Sequence, residues 1–273
     1  MDDGSKGGTR RLPHTSVAGV PVALVGDDAL TQAMAEDCAP GREVPPGGPV
    51  LVFDSNGQGL SMAATDTAFG AALNQADIIH ADGQFVVWMS RLSPGAAVPE
   101  RTATTDFIHS AARRAAQDGI SFFLLGGSED VNARCAARLQ ELYPGLVIAG
   151  RRHGYFGEDE EAAVIAEISD SGADVVWVGL GKPKEQIFSV RHRAALRCKW
   201  LVTCGGCFNF VTGDYARAPA WAQKAGLEWV HRLATGPRYL LGRYALTVPH
   251  AIWLVLRKDA APRLLARARG GDS

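Results

Sequence analysis

Short, almost continuously apolar runs alternate with helix-forming segments along most of this chain. The runs at 121–125 (SFFLL), 174–178 (DVVWV) and 200–203 (WLVT) are typical of strands buried on both faces of a parallel sheet. Helix-start signals lie between such runs, as at 105–117, where Asp106 falls in the first turn. This alternation predicts a Rossmann-like α/β fold, in which a mostly parallel sheet carries helices on both faces.

We predict three regions along the 273 residues. Residues 1–15 are polar and rich in glycine, which predicts a disordered leader, and a first strand is expected at 20–25. The α/β core is predicted to span residues 16–231. From Trp221 onward the strand-like runs stop and helical segments rich in Trp, Leu and Arg follow. Residues 232–273 are therefore predicted to form a basic helical C-terminal appendage.

The net charge is close to zero but unevenly distributed. The 28 basic and 29 acidic side chains exclude a broadly basic nucleic-acid-binding protein, and we predict no nucleic-acid partner. Residues 224–273 hold nine Lys and Arg against three Asp and Glu, a charge of +6, which leaves −7 on residues 1–223. A basic end on an acidic body suggests an anionic partner, although a solvated basic C-terminus explains the same charges equally well.

The sequence predicts neither secretion nor a membrane span. The N-terminal residues lack the apolar stretch of a signal peptide. The apolar run at 245–256 is too short to cross a bilayer and contains Pro249. The five cysteines are an odd number and are explained most simply as reduced thiols. We therefore expect a cytoplasmic protein.

Four predicted loops follow strands, at 54–58, 81–84, 126–129 and 179–186. Parallel strands bring such loops to one edge of the sheet, and glycines there let backbone N–H groups approach a phosphate. An anionic small-molecule ligand is thus favoured, but no G-x-G-x-x-G follows a strand and no P-loop is present. Asp82, which lies between an apolar run and Gly83, is well placed as a general base; an ordinary Asp-Gly turn also explains it.

Two further clusters have simpler explanations than a metal or redox site. Cys204 and Cys207 (CGGC) have the spacing of a redox dithiol or of half a zinc site, but there is no second pair, which favours small buried thiols. The acidic run at 158–161 could attract a divalent metal ion, but its place at a predicted helix start favours an interaction with the helix dipole. We predict no metal site.

One segment carries a much more specific motif pattern than the loops, cysteines and acidic run described above. From Cys204 to Leu233 the chain reads CGGCFNFVTGDYARAPAWAQKAGLEWVHRL, with a Gly-rich turn before FNF, then RAP, Trp221 and GLEW. Upstream, in order, come ADG at 81–83, Glu100-Arg101 with Asp106 downstream, FFLLGG at 122–127, YPGLVIAG at 143–150, GYF at 154–156 and GLGKPKEQ at 179–186. Over about residues 18–240 this set resembles the signature of the WecG/TagA/CpsF glycosyltransferases, glycosyltransferase family 26.

The resemblance implies an inverting, metal-independent hexosyltransferase that uses a UDP-sugar, commonly UDP-N-acetylmannosamine, and no other cofactor. It implies a polyprenyl-diphosphate-linked sugar as acceptor, in the assembly of bacterial wall or surface polysaccharide. The basic C-terminal segment would then meet the inner membrane surface, with the enzyme peripheral on its cytoplasmic face. Asp82 matches the proposed general base of the family, which deprotonates the acceptor hydroxyl that attacks the anomeric carbon.

The same resemblance, together with the glycine loops, predicts two sets of binding residues. The donor is predicted to contact Asn56, Arg101, Asp106, Gly126, Gly127, Gly181, Lys184, Glu185, Gln186 and Asn209. The acceptor is predicted to contact Arg217, Arg232, Arg238 and Arg243. A homo-oligomer is left open.

The chain departs from the family pattern at four places. Glu185 and Gln186 stand in reversed order, Asn209 replaces an aspartate, Thr104 stands where glycine is common, and Gly236 replaces a glutamate. These changes bear on which sugar and acceptor the site takes. Two alternatives therefore stay open: the same fold acting on a soluble natural-product acceptor, and a non-catalytic UDP-sugar-binding protein.

Overall fold

The computed structural model describes residues 12–219, 221–222 and 239–261. Within these ranges it contains eight strands and ten α-helices, and a π-helical turn (Leu256–Ala260) continues the last helix. In chain order they are β1 (His14–Val17), β2 (Val20–Ala23), α1 (Asp27–Asp37), β3 (Val50–Ser55), α2 (Gly57–Thr65), α3 (Thr67–Leu73), β4 (Ile78–Ala81), α4 (Gln84–Ser90), α5 (Thr104–Asp118), β5 (Ser121–Gly126), α6 (Glu129–Leu142), β6 (Val147–Arg152), α7 (Glu161–Asp170), β7 (Val175–Gly179), α8 (Lys184–His192), β8 (Trp200–Thr203), α9 (Cys207–Val211) and α10 (Tyr239–Val255).

Six of the strands form one sheet in the order β4-β3-β8-β7-β5-β6, and every neighbouring pair is parallel. The predicted parallel sheet is therefore confirmed. The register sets the carboxyl ends of the strands side by side: Asp54 lies opposite His80, and Val178 lies opposite Thr203. Loops that leave these ends meet at one edge, where ligands of open α/β sheets bind.

The two faces of the sheet are covered by separate sets of helices, as predicted. Along β3, Val50 and Val52 belong to one apolar cluster, while Leu51 and Phe53 belong to the other, because successive strand residues point to opposite faces. The first cluster includes residues of α1, α5, α6 and α9. The second includes residues of α2, α3, α4, α7, α8 and α10.

The N-terminal third differs from the prediction at two points. The predicted leader ran to residue 15, whereas the first strand begins at His14 and pairs antiparallel with β2. Residues 60–75 are rich in alanine and their sequence favours one helix, but the structure divides this stretch between two helices, α2 and α3. The break falls at Asp66, whose side chain accepts a hydrogen bond from the Phe69 N–H at 2.9 Å and so caps the start of α3.

The C-terminal helix α10 packs against α2 and contributes Ala251, Leu254 and Val255 to the second apolar cluster. It runs through Pro249. Ser61 Oγ on α2 lies 2.8 Å from Nδ1 of His250. In the part of the chain that the structure describes, no helix is both long and apolar enough to cross a membrane. The predicted boundary between residues 231 and 232 lies outside the described residues and stays a prediction.

Candidate active site

A cavity of about 290 Å³ opens at the carboxyl ends of β3, β4, β7 and β8, next to the first residues of α5 and α9. Its position at the carboxyl edge of a parallel sheet makes it the candidate active site. The described residues that line it are Asp54, Asn56, Gln58, Asp82, Thr104, Thr105, Gly181, Lys182, Glu185, Cys204, Gly205, Gly206, Cys207 and Phe210.

Asp82 follows β4 directly, and its carboxylate is held from two sides. Oδ1 accepts a hydrogen bond from the Thr104 N–H at 2.8 Å, and Oδ2 accepts one from Asn56 Nδ2 at 3.4 Å. Burial raises the pKa of Asp82 and the neighbouring charge of Asp54 adds to this, while Lys182 and the Thr104 N–H act against it. A higher pKa makes a carboxylate a more effective proton acceptor.

Asn56 connects this carboxylate to helix α2. Its Oδ1 accepts a hydrogen bond from the Gly59 N–H at 3.1 Å, so that Asn56 is the N-cap of the helix. Because the amide oxygen is used by the cap, the amide nitrogen is turned toward Asp82. The start of α2 therefore fixes the orientation of the carboxylate.

Asp54 and Lys182 form a buried ion pair across the cavity. Asp54 is the last residue but one of β3 and its side chain is 3% exposed, while Lys182 lies in the loop after β7 with 11% of its side chain exposed. Thr203 Oγ1 donates to the other carboxylate oxygen of Asp54 at 3.4 Å. Burial by itself would lower the pKa of Lys182, but the charges of Asp54, Glu185 and Asp82 outweigh it and raise the pKa. Lys182 is thus a cation within the site.

Glu185 joins the loops that follow β7 and β8. Its Oε2 accepts hydrogen bonds from the Gly181 N–H at 3.0 Å and from the Gly205 N–H at 2.9 Å. Gln186 Nε2 donates to the other oxygen at 3.1 Å. Burial raises the pKa of Glu185 to about 7, with a further contribution from Asp54, although Lys182 and the two N–H groups oppose the shift. A fully buried carboxyl group therefore titrates near neutral pH between the two loops.

Two arginines share one carboxylate beside the cavity. Asp106 accepts from Arg101 Nη2 at 3.0 Å and from Arg217 Nη1 at 2.5 Å, although Arg217 lies 111 residues further along the chain. Asp106 is in the first turn of α5, which also provides the lining residues Thr104 and Thr105. Guanidinium groups bind phosphate and diphosphate groups through paired charge-assisted hydrogen bonds, so two of them beside the cavity suit such a ligand.

A comparison with known families identifies the class to which this arrangement belongs. The model of the glycosyl transferase WecG/TagA/CpsF family matches residues 15–264. The chain belongs to this family. The resemblance predicted from the sequence is thereby confirmed. Membership implies a glycosyltransferase of cell-surface polysaccharide synthesis, which in general terms uses a nucleotide-sugar donor and a lipid-linked acceptor.

For this WecG/TagA/CpsF family member, seven of the predicted site residues fall into two groups within the described chain. Asp82, Asn56, Gly181 and Glu185 line the cavity. Arg101 and Asp106, predicted to contact the donor, and Arg217, predicted to contact the acceptor, meet in the cluster beside it.

Gly126, which Gly127 follows, lies where the backbones of β5 and β7 approach closely. Gly126 has φ +136°, and a Cβ there would lie 2.2 Å from the carbonyl oxygen of Gly179. The Gly127 carbonyl accepts a hydrogen bond from the Gly154 N–H at 2.8 Å. Contact of these two glycines with the donor stays a prediction.

Three other predicted donor residues are not among the described residues that line the cavity. Lys184 is exposed, with Nζ 4.7 Å from the ring centroid of Phe156. Gln186 is fully buried behind Glu185, and Asn209 is half-buried on α9, next to the lining residue Phe210.

The remaining arginines predicted to bind the acceptor cannot be placed in this site. Arg232 and Arg238 lie outside the described residues. Arg243 belongs to α10, but its side chain lies outside what the structure describes. Their contact with the acceptor stays a prediction.

Two charged residues of the cavity were missed by the sequence reasoning. Asp54 was treated as the end of a strand, and Lys182 as part of a glycine-bearing loop. A charged residue at the end of an apolar strand is only a weak signal of a binding site, and so is a lysine directly after Gly181. Their importance comes from the ion pair, which joins positions 128 residues apart.

The CGGC cysteines lie in the cavity wall. Burial raises the pKa of both thiols, Cys204 and Cys207, well above the usual range, as the preference for small buried thiols predicts. Over residues 12–219, 221–222 and 239–261, no group of three or more His, Cys, Asp or Glu side chains is arranged to hold a metal ion.

Proposed function

We propose that this protein is an inverting, metal-independent glycosyltransferase that moves a hexose, such as N-acetylmannosamine, from a UDP-sugar to a polyprenyl-diphosphate-linked acceptor. The observation that carries this proposal is the Asp82 carboxylate, held by Asn56 and the Thr104 N–H at the wall of the cavity. The proposed donor and acceptor are specific forms of the nucleotide sugar and the lipid-linked acceptor that the family implies.

In this mechanism Asp82 takes the proton of the acceptor hydroxyl as that oxygen attacks the anomeric carbon. The bond from the anomeric carbon to the β-phosphate oxygen breaks on the opposite face, so the configuration inverts and UDP leaves. The raised pKa of Asp82 supports this role, because a higher pKa makes a carboxylate a stronger proton acceptor. The cluster of Arg101, Asp106 and Arg217 supports recognition of a diphosphate by side chains alone.

Replacement Asp82→Asn tests the base. Sugar transfer should fall by about 10²–10⁴-fold, because positioned general bases contribute on this order. Binding of UDP, measured by calorimetry, should change by less than about threefold, since the amide keeps the shape of the side chain. Asp130→Asn, on the exposed face of α6 with a side chain 75% exposed, is the matched control. Full turnover by Asp82→Asn would refute the assignment.

The donor is tested by measuring UDP release from a panel of UDP-sugars in the presence of EDTA. Acceptor-dependent release from one sugar supports a catalytic, metal-independent enzyme. Binding of UDP-sugars without any release would favour the non-catalytic alternative, and loss of release in EDTA would contradict metal independence.

We also propose that α10 meets the membrane that carries the acceptor. Leu246, Trp253 and Leu256 are 75%, 49% and 49% exposed, and the Arg257 guanidinium lies 5.1 Å from the Trp253 ring centroid. Apolar and aromatic side chains beside basic ones are typical of helices that lie on an anionic bilayer.

Flotation with anionic vesicles tests this surface. The unaltered chain should float, and the double variant Trp253→Ser/Leu256→Ser should float at least several-fold less, because apolar insertion is lost. Leu142→Ser, on α6 and 40% exposed, is the control. Failure of the unaltered chain to bind vesicles would favour the soluble acceptor.

A further inference from the structure

Lys182 stands out among the described residues that line the cavity. It is the cationic member of that set, whereas Asp54, Asp82 and Glu185 are carboxylic acids. All three carboxyl groups act on Lys182 strongly enough to raise its pKa. A diphosphate entering a cavity with three carboxyl groups needs a nearby positive charge, and within the described lining Lys182 provides it.

The side chain of Lys182 lies across the first turn of α2. Its Cε is 3.9 Å from the position that a Cβ would occupy on Gly59, which is van der Waals contact distance from the start of the helix. The N-terminus of a helix carries a partial positive charge that favours anions. The ammonium group and the start of α2 therefore direct positive potential into the same part of the cavity.

The ammonium group also has capacity for a second partner. A lysine has three N–H donors, and its contact with Asp54 Oδ2 uses one of them. Asp54 can therefore hold the ammonium group in position while another N–H binds an oxygen of a ligand.

We propose that Lys182 binds the β-phosphate of the nucleotide-sugar donor and that Asp54 positions its ammonium group for this contact. The inference rests on the proposed UDP-sugar donor. The β-phosphate is chosen because its oxygen leaves the anomeric carbon, and Lys182 is close enough to Asp82 for the two charges to influence each other. As the glycosidic bond breaks, negative charge grows on that oxygen, and the lysine stabilises it.

A purely structural ion pair is the competing explanation, and a double substitution separates the two. Lys182→Met alone leaves the Asp54 carboxylate buried without its cation, which destabilises a protein whatever the function. Asp54→Asn/Lys182→Met removes both charges and keeps the side-chain volumes similar. If the pair is only structural, this double variant regains stability and binding together. If Lys182 binds phosphate, stability returns and binding does not.

The experiment measures thermal unfolding and the affinities for UDP and UMP on the full chain. For Asp54→Asn/Lys182→Met we expect a melting temperature near that of the unaltered chain, UDP binding weakened by about 10–100-fold, and UMP binding within about threefold, because a charged hydrogen bond to the β-phosphate is lost. Lys182→Arg should retain most of the UDP affinity. Arg138→Met, which removes an exposed cation from α6, is the control.

The outcomes separate the two proposals. Unaltered protein that binds UDP, with an unchanged UDP-to-UMP affinity ratio in the double variant, overturns the role of Lys182 and leaves the donor class intact. Unaltered protein that binds no UDP overturns the proposed donor and, with it, this inference.

Discussion

Glu185 makes stability depend on pH in a direction that a single substitution can reveal. Its pKa is raised to about 7 in the folded protein, mainly by burial, against a usual value of 4.5. The folded protein therefore binds a proton that the unfolded chain releases between these two values. The stabilisation from this proton is fully present below pH 4.5 and is lost as the pH rises through 7.

The size of the effect follows from the shift. Between pH 5 and pH 8 the contribution of Glu185 to the free energy of unfolding should fall by roughly 2–3 kcal/mol, at about 1.36 kcal/mol per pKa unit. Glu185→Gln removes the titration. Its amide oxygen can still accept the Gly181 and Gly205 N–H groups, and its NH₂ group can donate to Gln186 Oε1, which lacks a hydrogen-bond partner in the structure.

Urea denaturation at several pH values tests this reasoning. The free energy of unfolding of the unaltered chain, minus that of Glu185→Gln, should decrease by roughly 2–3 kcal/mol between pH 5 and pH 8. Glu141→Gln, with a side chain 70% exposed, should leave the pH profile parallel to that of the unaltered chain. A parallel profile for Glu185→Gln itself would refute the raised pKa.

Three further predictions concern stability and reactivity. Gly126→Ala should lower the free energy of unfolding by more than about 3 kcal/mol or prevent folding, because φ is +136° and the new Cβ would lie 2.2 Å from the Gly179 carbonyl oxygen. Thermal unfolding measures this loss, and a loss below about 1 kcal/mol would contradict the prediction. Asp259→Ala should lower the free energy of unfolding by about 1–3 kcal/mol, because the Asp259 carboxylate accepts hydrogen bonds from the buried Ala18 N–H at 2.7 Å and from the Ser93 hydroxyl at 3.2 Å. Amide hydrogen exchange should become faster first at Ala18, and unchanged exchange there would count against this contact. The native protein should react slowly with a thiol reagent at pH 8, because all five cysteines are buried, whereas the denatured protein should expose five reactive thiols. Fast labelling of the native protein would contradict the structure.

The periodic parts of the fold could be predicted from the sequence. The strand expected at 200–203 is β8 residue for residue, because an apolar run between polar neighbours fixes both ends. Strand β1 was missed because HTSV has only four residues, alternates in burial and resembles a polar leader. The break between α2 and α3 was missed because both helices are rich in alanine, and only the cap made by Asp66 separates them.

The candidate site was less accessible to sequence reasoning. Asp82 could be singled out because it stands alone between a strand and a glycine. Lys182 and Lys184 are nearly equivalent in sequence, and only the path of the loop after β7 turns one toward Asp54 and the other toward Phe156. Such a choice depends on contacts between distant strands, which local patterns do not record.

The packing of α10 has a practical consequence for work with shortened proteins. Ala251 and Val255 are fully buried against the second face of the sheet, and Leu254 is 3% exposed. A protein that ends before residue 239 would uncover the flank of α2, the helix whose first turn orients Asp82 through Asn56. Inactivity of such a protein would be no measure of membrane attachment, because truncation would disturb the surroundings of the Asp82 carboxylate.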